Sequence, residues 1–400
     1  MPKPLRILHI LPSLSPETGG PAKSVMRLFQ ASANVGNILT LYSTMWPKRG
    51  QSGSSHLSAD NGGSLTIKLF PSKPHSLIPN LPYSPGLLKA VHDHDQQGKL
   101  DMVVNHSLWN PVATFAMRIL REAGKKYCIM PHGMLDPVVF RRRRWKKSPW
   151  ALLWERANVE EASLIIFNTE SEREKARRCG WHLRETFIFP HIIDLPAWKI
   201  LPSRSVFETR YPQVRGCEVI LFVGRINWVK NLDKLVDALV GVRQKRPSAM
   251  LVCVGPDSDG HRAKLEKQAK TLGLQRHLLF TSILEGEELK AAYARGDVLT
   301  LVSQKENFGL TVAEALACGL PVVVSEGVDL GRDWVSQGPV RRVPPMPEKI
   351  SEALIELLER SASRGLPDVE ARALAEREWG ESKILALIDT YRQILAQKKK

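Results

Sequence analysis

Residues Gln304–Gly327 read QKENFGLTVAEALACGLPVVVSEG, and this stretch decides the fold class. A polar loop, Gln304-Lys305-Glu306-Asn307, passes through Phe308-Gly309 into an apolar helical run that Cys318-Gly319-Leu320-Pro321 ends. Val322-Val323-Val324 then follows as a buried strand. Thr311 and Glu314 fit a capping box, so the spacing predicts a helix beginning near Gly309 to Thr311. Gly319 suits a left-handed stop, and Pro321 bars continuation. The start of so short a helix presents unpaired backbone N–H groups, a partial positive charge and a glycine that lets a ligand approach. Such an end binds phosphate. Glu306 and Glu314, eight residues apart, frame whatever docks there.

Working outward, the same strand–turn–helix grammar recurs. Leu5 to Leu11 (LRILHIL) predicts a buried strand, Gly19-Gly20 a tight turn, and Ala22 to Ala33 a helix. That order is a phosphate-binding topology, although the Rossmann glycine fingerprint is missing and a dinucleotide is not indicated. Further strands are predicted at Ile38–Tyr42, Leu65–Phe70, Met102–Asn105, Cys128–Pro131 and Leu164–Asn168, with Gln51 to Gly63 as a surface loop. Val219–Val223 runs into Gly224-Arg225-Ile226-Asn227-Trp228-Val229-Lys230-Asn231 and a helix from Leu232. Val252–Gly255 and Leu278–Thr281 form two more strand-to-turn units. Alternating strands and helices imply an α/β chain with parallel sheets and ligands at the carboxyl ends of the strands.

Four hundred residues call for two domains. Pro196, Pro202 and Pro212 place the expected linker at 196–216, between domains at 1–195 and 217–377, with a closing helix at 378–400. Ile384, Leu385, Leu387, Ile388, Tyr391, Ile394 and Leu395 form the apolar face of that helix. No run of about eighteen apolar residues occurs, which excludes a spanning helix. The start of the chain lacks a signal peptide's apolar segment, so a cytoplasmic location is expected. Five scattered cysteines, an odd number, argue against a disulfide framework. A net charge of +16 calls for an anionic partner.

The full string from Glu306 through Ser325, with its E-x7-E pair, resembles retaining, nucleotide-sugar-dependent glycosyltransferases of family 4. The likeness is strong from Ile220 to Ser325 and clear at residues 5–28 and 127–137. It implies the GT-B architecture, two Rossmann-like domains facing across a cleft, and sugar transfer from a nucleoside diphosphate to a hydroxyl acceptor. The glycine–arginine turn matches the family's, so Arg225 and Lys230 would neutralise the diphosphate, a role for fixed cations opposite a departing anion. Glu306 would hold sugar hydroxyls and Glu314 the ribose. Asn307, Phe308, Gly309, Leu310 and Thr311 would line the donor at the helix start, with Gly19 and Gly20 beside the donor diphosphate or the acceptor and the turns at Gly255 and Ile283 around the base. Pro131-His132-Gly133 resembles a segment whose histidine faces the donor sugar, and His106 would lie on the acceptor side. No D-x-D motif precedes a suitable strand, so neither metal nor cofactor is expected.

Arg141-Arg142-Arg143-Arg144-Trp145-Lys146-Lys147, with Trp150 and Trp154 beyond, suits either a solvated face or an anionic membrane surface near a lipid-linked or glycan acceptor. Two readings stay open beside sugar transfer: a nucleotide-sugar epimerase of the same architecture and a basic nucleic-acid-binding protein. Steep salt dependence would favour the latter, but it leaves the helix start unexplained, and no nucleic acid is expected. Donor sugar, base and pathway stay open, with cell-surface polysaccharide and lipid-linked glycan synthesis as the candidates.

Overall fold

The computed structural model describes residues 3–14, 20–45, 58–60, 64–75, 78–98, 100–138, 149–257, 259–306, 308–331, 338–380 and 382–397. The chain divides into two compact units, one formed by Met1–Ile192 with Glu381–Lys400 and the other by Ile193–Gly380.

The first unit carries β1 (Arg6–Leu11), β2 (Ile38–Met45), β3 (Ser58–Asp60), β4 (Leu65–Pro71), β5 (Lys73–His75), β6 (Ile78–Tyr83), β7 (Met102–Asn105), β8 (Tyr127–Ile129), β9 (Leu164–Phe167) and β10 (Thr186–Ile188). Eight of these form one sheet in the order β10-β9-β8-β7-β1-β2-β4-β3, and β5 pairs with β6 apart from it. The pairings within the large sheet are parallel except β3 on β4. Alternation along β1 explains its burial on both faces. Ile7 and Leu11 pack with Val25, Leu28 and Phe29 of the helix Gly20–Asn34, whereas Leu8 and Ile10 pack with Leu87 and Val112 on the opposite face. The closing helix, Ser382–Ala396, buries Ile384, Leu387, Ile388, Tyr391 and Ile394 in the first of these cores. The Lys126 ammonium donates to the carbonyls of Ile394 and Leu395 at 2.7 and 3.0 Å, which satisfies its last turn.

The second unit has β11 (Glu218–Val223), β12 (Ala249–Val254), β13 (Leu278–Thr281), β14 (Val298–Leu301), β15 (Val322–Ser325) and β16 (Val340–Val343). They form one parallel sheet in the order β13-β12-β11-β14-β15-β16. The chain runs from β11 outward to β13 and then returns to the other side of β11 at β14. The space beyond the carboxyl ends of β11 and β14 is therefore a topological switch point, where open α/β sheets take their ligands.

Three expectations are corrected. The proposed linker is not irregular: Leu195–Lys199 and Arg204–Arg210 are short helices, and Leu195, Trp198, Phe207 and Val214 belong to the second unit's core. Part of the loop expected at Gln51 to Gly63 is strand β3, while 51–57 and 61–63 lie outside the described residues. Leu385, placed on the apolar face of the last helix, is 52% exposed.

Candidate active site

Three turns converge at the switch point of the second unit. After β11 the backbone folds back on the next turn, where Gly224 N–H donates to the Val254 carbonyl at 2.9 Å and Ile226 N–H to that of Pro256 at 2.8 Å. Gly255 has φ 143°, and a Cβ there would lie 2.1 Å from the Gly224 carbonyl oxygen. Gly255→Ala would combine a forbidden dihedral with a backbone clash. It is expected to destabilise the protein by roughly 2–5 kcal/mol, seen as a lower urea midpoint.

The short turn Trp228–Lys230 ends on left-handed Asn231 (φ 51°), whose side-chain amide donates to the Val302 carbonyl at 2.9 Å. From the other side, Gln304 N–H donates to the Val229 carbonyl at 2.8 Å. The loop after β14 is thus tied to the loop after β11. Glu306 is clamped further, donating its N–H to Gly327 at 2.9 Å and accepting from Asp329 N–H at 2.8 Å. Gly327 makes this possible, because a Cβ there would sit 2.4 Å from the Ser303 and Gln304 carbonyl oxygens.

These ties bring Lys230 and Glu306 together as an ion pair through Glu306 Oε2, both side chains half-buried. Arg225 is exposed and has no ion pair among the described residues. Of the two expected cations, Lys230 is held by a carboxylate and Arg225 is exposed.

The helix after this loop is Leu310–Cys318, with Gly309 as its N-cap at φ 80° and Gly319 as its left-handed stop at φ 80°. The capping box expected of Thr311 and Glu314 is not formed. Thr311 lies inside the helix, because glycine reaches the left-handed cap geometry without strain and the helix starts earlier. No side chain caps the first turn. Glu314, almost fully buried, accepts a hydrogen bond from the Tyr293 hydroxyl at 3.0 Å through Oε2. Phe308 is a core residue set edge-on to Trp379, with ring centroids 6.3 Å apart. Leu310 and Thr311 are half-buried, and Ile283 is exposed after β13. Gly20 opens the first unit's first helix. Gly19, Asn307 and the run Arg141–Lys147 lie outside the described residues.

In the first unit, residues from β1 and from the ends of β7, β8 and β10 stack four imidazoles. His9 Nδ1 lies 2.8 Å from His106 Nε2, and His106 Nδ1 lies 3.3 Å from His132 Nε2. Asn168, just after β9, reaches His132 Nδ1 at 3.3 Å, and the His191 ring stacks on His132 with centroids 5.3 Å apart. Burial lowers His9 to about 3 and His132 to about 4, so both rings are neutral near pH 7. His106 and His191 are held well below the ordinary value, first by burial and then by the neighbouring histidines, joined at His191 by Arg27. Among the described residues no group of three His, Cys, Asp or Glu could hold a metal ion; these rings bind one another.

His132 sits in the left-handed region (φ 48°), and the buried carboxylate of Glu172 fixes that turn. Glu172 accepts from Gly133 N–H through Oε1 and from Asn168 N–H at 2.7 Å through Oε2. The sequence reading missed this residue. Its signal was Thr169-Glu170-Ser171-Glu172, a capping-box pattern in which Thr169 Oγ1 does accept from Glu172 N–H at 3.1 Å. Trp150, expected beside a lipid surface, is instead buried and donates its indole N–H to Thr114 Oγ1 at 3.2 Å.

Comparison with known proteins bears on the family and the fold. A family model described as Glycosyltransferase Family 4 matches residues 18–196, and one described as Glycosyl transferases group 1 matches residues 210–372. A D-inositol 3-phosphate glycosyltransferase of Kineococcus radiotolerans is 31% identical over 182 residues, which span 44% of this chain and 42% of that relative. The match thus spans less than half the relative's length. Anabaena HepE, solved in complex with UDP and glucose, superposes with a TM-score of 0.72 at 19% identity, covering 97% of this chain and 99% of HepE. An E. coli trehalose-6-phosphate structure bound with UDP-2-fluoro glucose gives 0.73 at 15% identity, over 97% and 99% of the two chains. The chain belongs to the group 1, family 4 glycosyltransferases, and its fold is GT-B.

Proposed function

We propose that the protein transfers a hexose from a nucleoside-diphosphate sugar to a hydroxyl acceptor with retention of configuration. The observation that carries this reading is the Lys230–Glu306 pair held at the switch point, beside the uncapped start of the helix Leu310–Cys318. Lys230 and Arg225 neutralise the diphosphate as its bridging oxygen departs, and the helix-start amides add partial positive charge. Glu306 orients the sugar hydroxyls, Glu314 accepts from the ribose, and neutral His132 contacts the sugar. The departing phosphate takes the acceptor's proton, so the transfer needs no metal. UDP is the first candidate nucleotide because HepE was solved with it.

A thermal-shift series with UDP, GDP, ADP and their sugars tests the donor. A ligand at a hundredfold excess over its Kd adds about 2.7 kcal/mol, which raises Tm by several degrees. No shift with any of them would overturn the proposal. Incubating the best donor without acceptor separates transfer from epimerisation: a transferase leaves the sugar's configuration unchanged.

The acceptor is proposed to be a glycan or lipid-linked hydroxyl in cell-surface polysaccharide or lipid-linked glycan assembly. Docking at an anionic membrane face is part of this reading. Leu152 and Leu153 are 78% and 60% exposed just beyond the basic run, while among the described residues no helix is long and apolar enough to cross a membrane. Leu152→Ser with Leu153→Ser is expected to reduce sedimentation with vesicles containing anionic lipid at low salt. Equal sedimentation of both proteins would sink the idea.

A further inference from the structure

The catalytic reading leaves one buried polar contact without a use. Tyr293 lies in the last turns of the helix Gly286–Arg295, nearly fully buried, its ring edge-on to Trp198 with centroids 5.0 Å apart. Its hydroxyl reaches across to a different helix and donates to Glu314 Oε2 at 3.0 Å. We infer that Tyr293 is a positioning residue for the nucleotide's ribose: it holds the Glu314 carboxylate in the orientation that accepts the ribose hydroxyls. This inference rests on the proposed role of Glu314 as the ribose acceptor.

Three observations lead there. The capping box that would have turned Glu314 back onto its own helix is absent, because Gly309 takes the cap, so the carboxylate's direction must come from elsewhere. Glu314 lies four residues beyond Leu310, the first helical residue. At about 1.5 Å per residue this is about 6 Å along the axis, which suits a ribose attached to a diphosphate resting at the helix start. Finally, Tyr293 is locked by Trp198 and cannot follow a carboxylate that swings away, so it acts as a fixed donor. A carboxylate offers about four acceptor directions. The phenol occupies one and thereby sets the plane of the others.

The test is calorimetric binding to the full chain, using whichever of UDP, GDP and ADP binds and its 2′,3′-dideoxy counterpart. Wild type should prefer the ribose form by about tenfold or more, the usual weight of a hydrogen bond to a charged group. Tyr293→Phe, which keeps the ring packing, should weaken the ribose form by about tenfold and leave the dideoxy form unchanged within about twofold. In a Glu314→Gln background the same change should have no further effect on either ligand. If wild type prefers the ribose form and Tyr293→Phe keeps that preference in full, the inference fails and the reading of Glu314 stands. Equal weakening of both ligands would mark Tyr293 as packing alone and also overturn it. No ribose preference in wild type would overturn the reading of Glu314 and this inference with it.

Discussion

Replacing Lys230 with methionine is expected to lower kcat by about 10² or more with little change in donor Kd. The ammonium sits against Glu306, which holds it in place. A cation positioned in advance stabilises charge as it develops on the departing diphosphate and needs no reorganisation at that moment. In the proposed reading the helix start and Arg225 supply ground-state binding, which is why kcat should suffer more than Kd. Methionine keeps the length and apolar stem of lysine and removes only the charge. Lys230→Arg is not a benign control, because a bulkier planar guanidinium spreads the charge that the ammonium holds at one point. The ion pair is partly exposed and its net contribution to stability is small. Tm of the variant should therefore stay close to wild type, and a turnover within a few-fold of wild type would remove Lys230 from the leaving-group role.

The second large effect is on stability. The histidines of the first unit are neutral in the folded chain, with His9 lowered to about 3 and His132 to about 4 by burial. An unfolded histidine titrates near 6.5. The folded value is the lower one, so as pH falls through 6.5 the unfolded chain takes up protons that the folded chain refuses. Stability is complete above the unfolded value and declines from about 6.5 down to about 4 for His132 and to about 3 for His9. Each such proton changes the unfolding free energy by about 1.4 kcal/mol per pH unit. His9 and His132 together give roughly 2–3 kcal/mol per pH unit near pH 5, and His106 and His191 act in the same direction.

Phe29 packs edge-on to His9, and Arg27 lies close enough to His191 to disfavour its protonation. Hydrogen exchange of the β1 and β7 amides would read the first unit by itself between pH 7 and pH 4.5, where buried Glu155, raised to about 7, takes up a proton in the folded chain and offsets about one histidine's slope. Protection should fall steeply with acid, and His9→Met should make the decline shallower by about one proton's slope. Protection that is flat over this range would contradict the neutral column.

Much of the second unit's site is written locally in the chain. Gly224, Gly255, Gly309 and Gly319 occupy backbone regions that side chains disfavour, and each announces its turn from sequence. The apolar periodicity of Leu310–Cys318 and the run Val322–Ser325 gave helix and strand within a residue or so of their positions. The capping box failed for an equally local reason, since two capping signals compete there and glycine prevailed. Prolines misled at the supposed linker. Pro196 and Pro212 sit in the first turns of short helices, where a missing N–H costs nothing, so a residue that interrupts a pattern can also begin one.

By itself, then, the sequence determined the alternation of strands and helices, the glycine turns and the polar residues those turns carry. Each depends on neighbours in the chain, through dihedral limits and periodic burial. Tertiary structure alone decided which turns meet. Lys230 and Glu306 lie 76 residues apart, and the histidines of the first contact 97 apart. Hydrophobic patterning buries the central parallel strands alike and leaves their order degenerate. Only the return of β14 to the far side of β11 places lysine beside glutamate, and only the β7-β1 pairing sets one imidazole on the next.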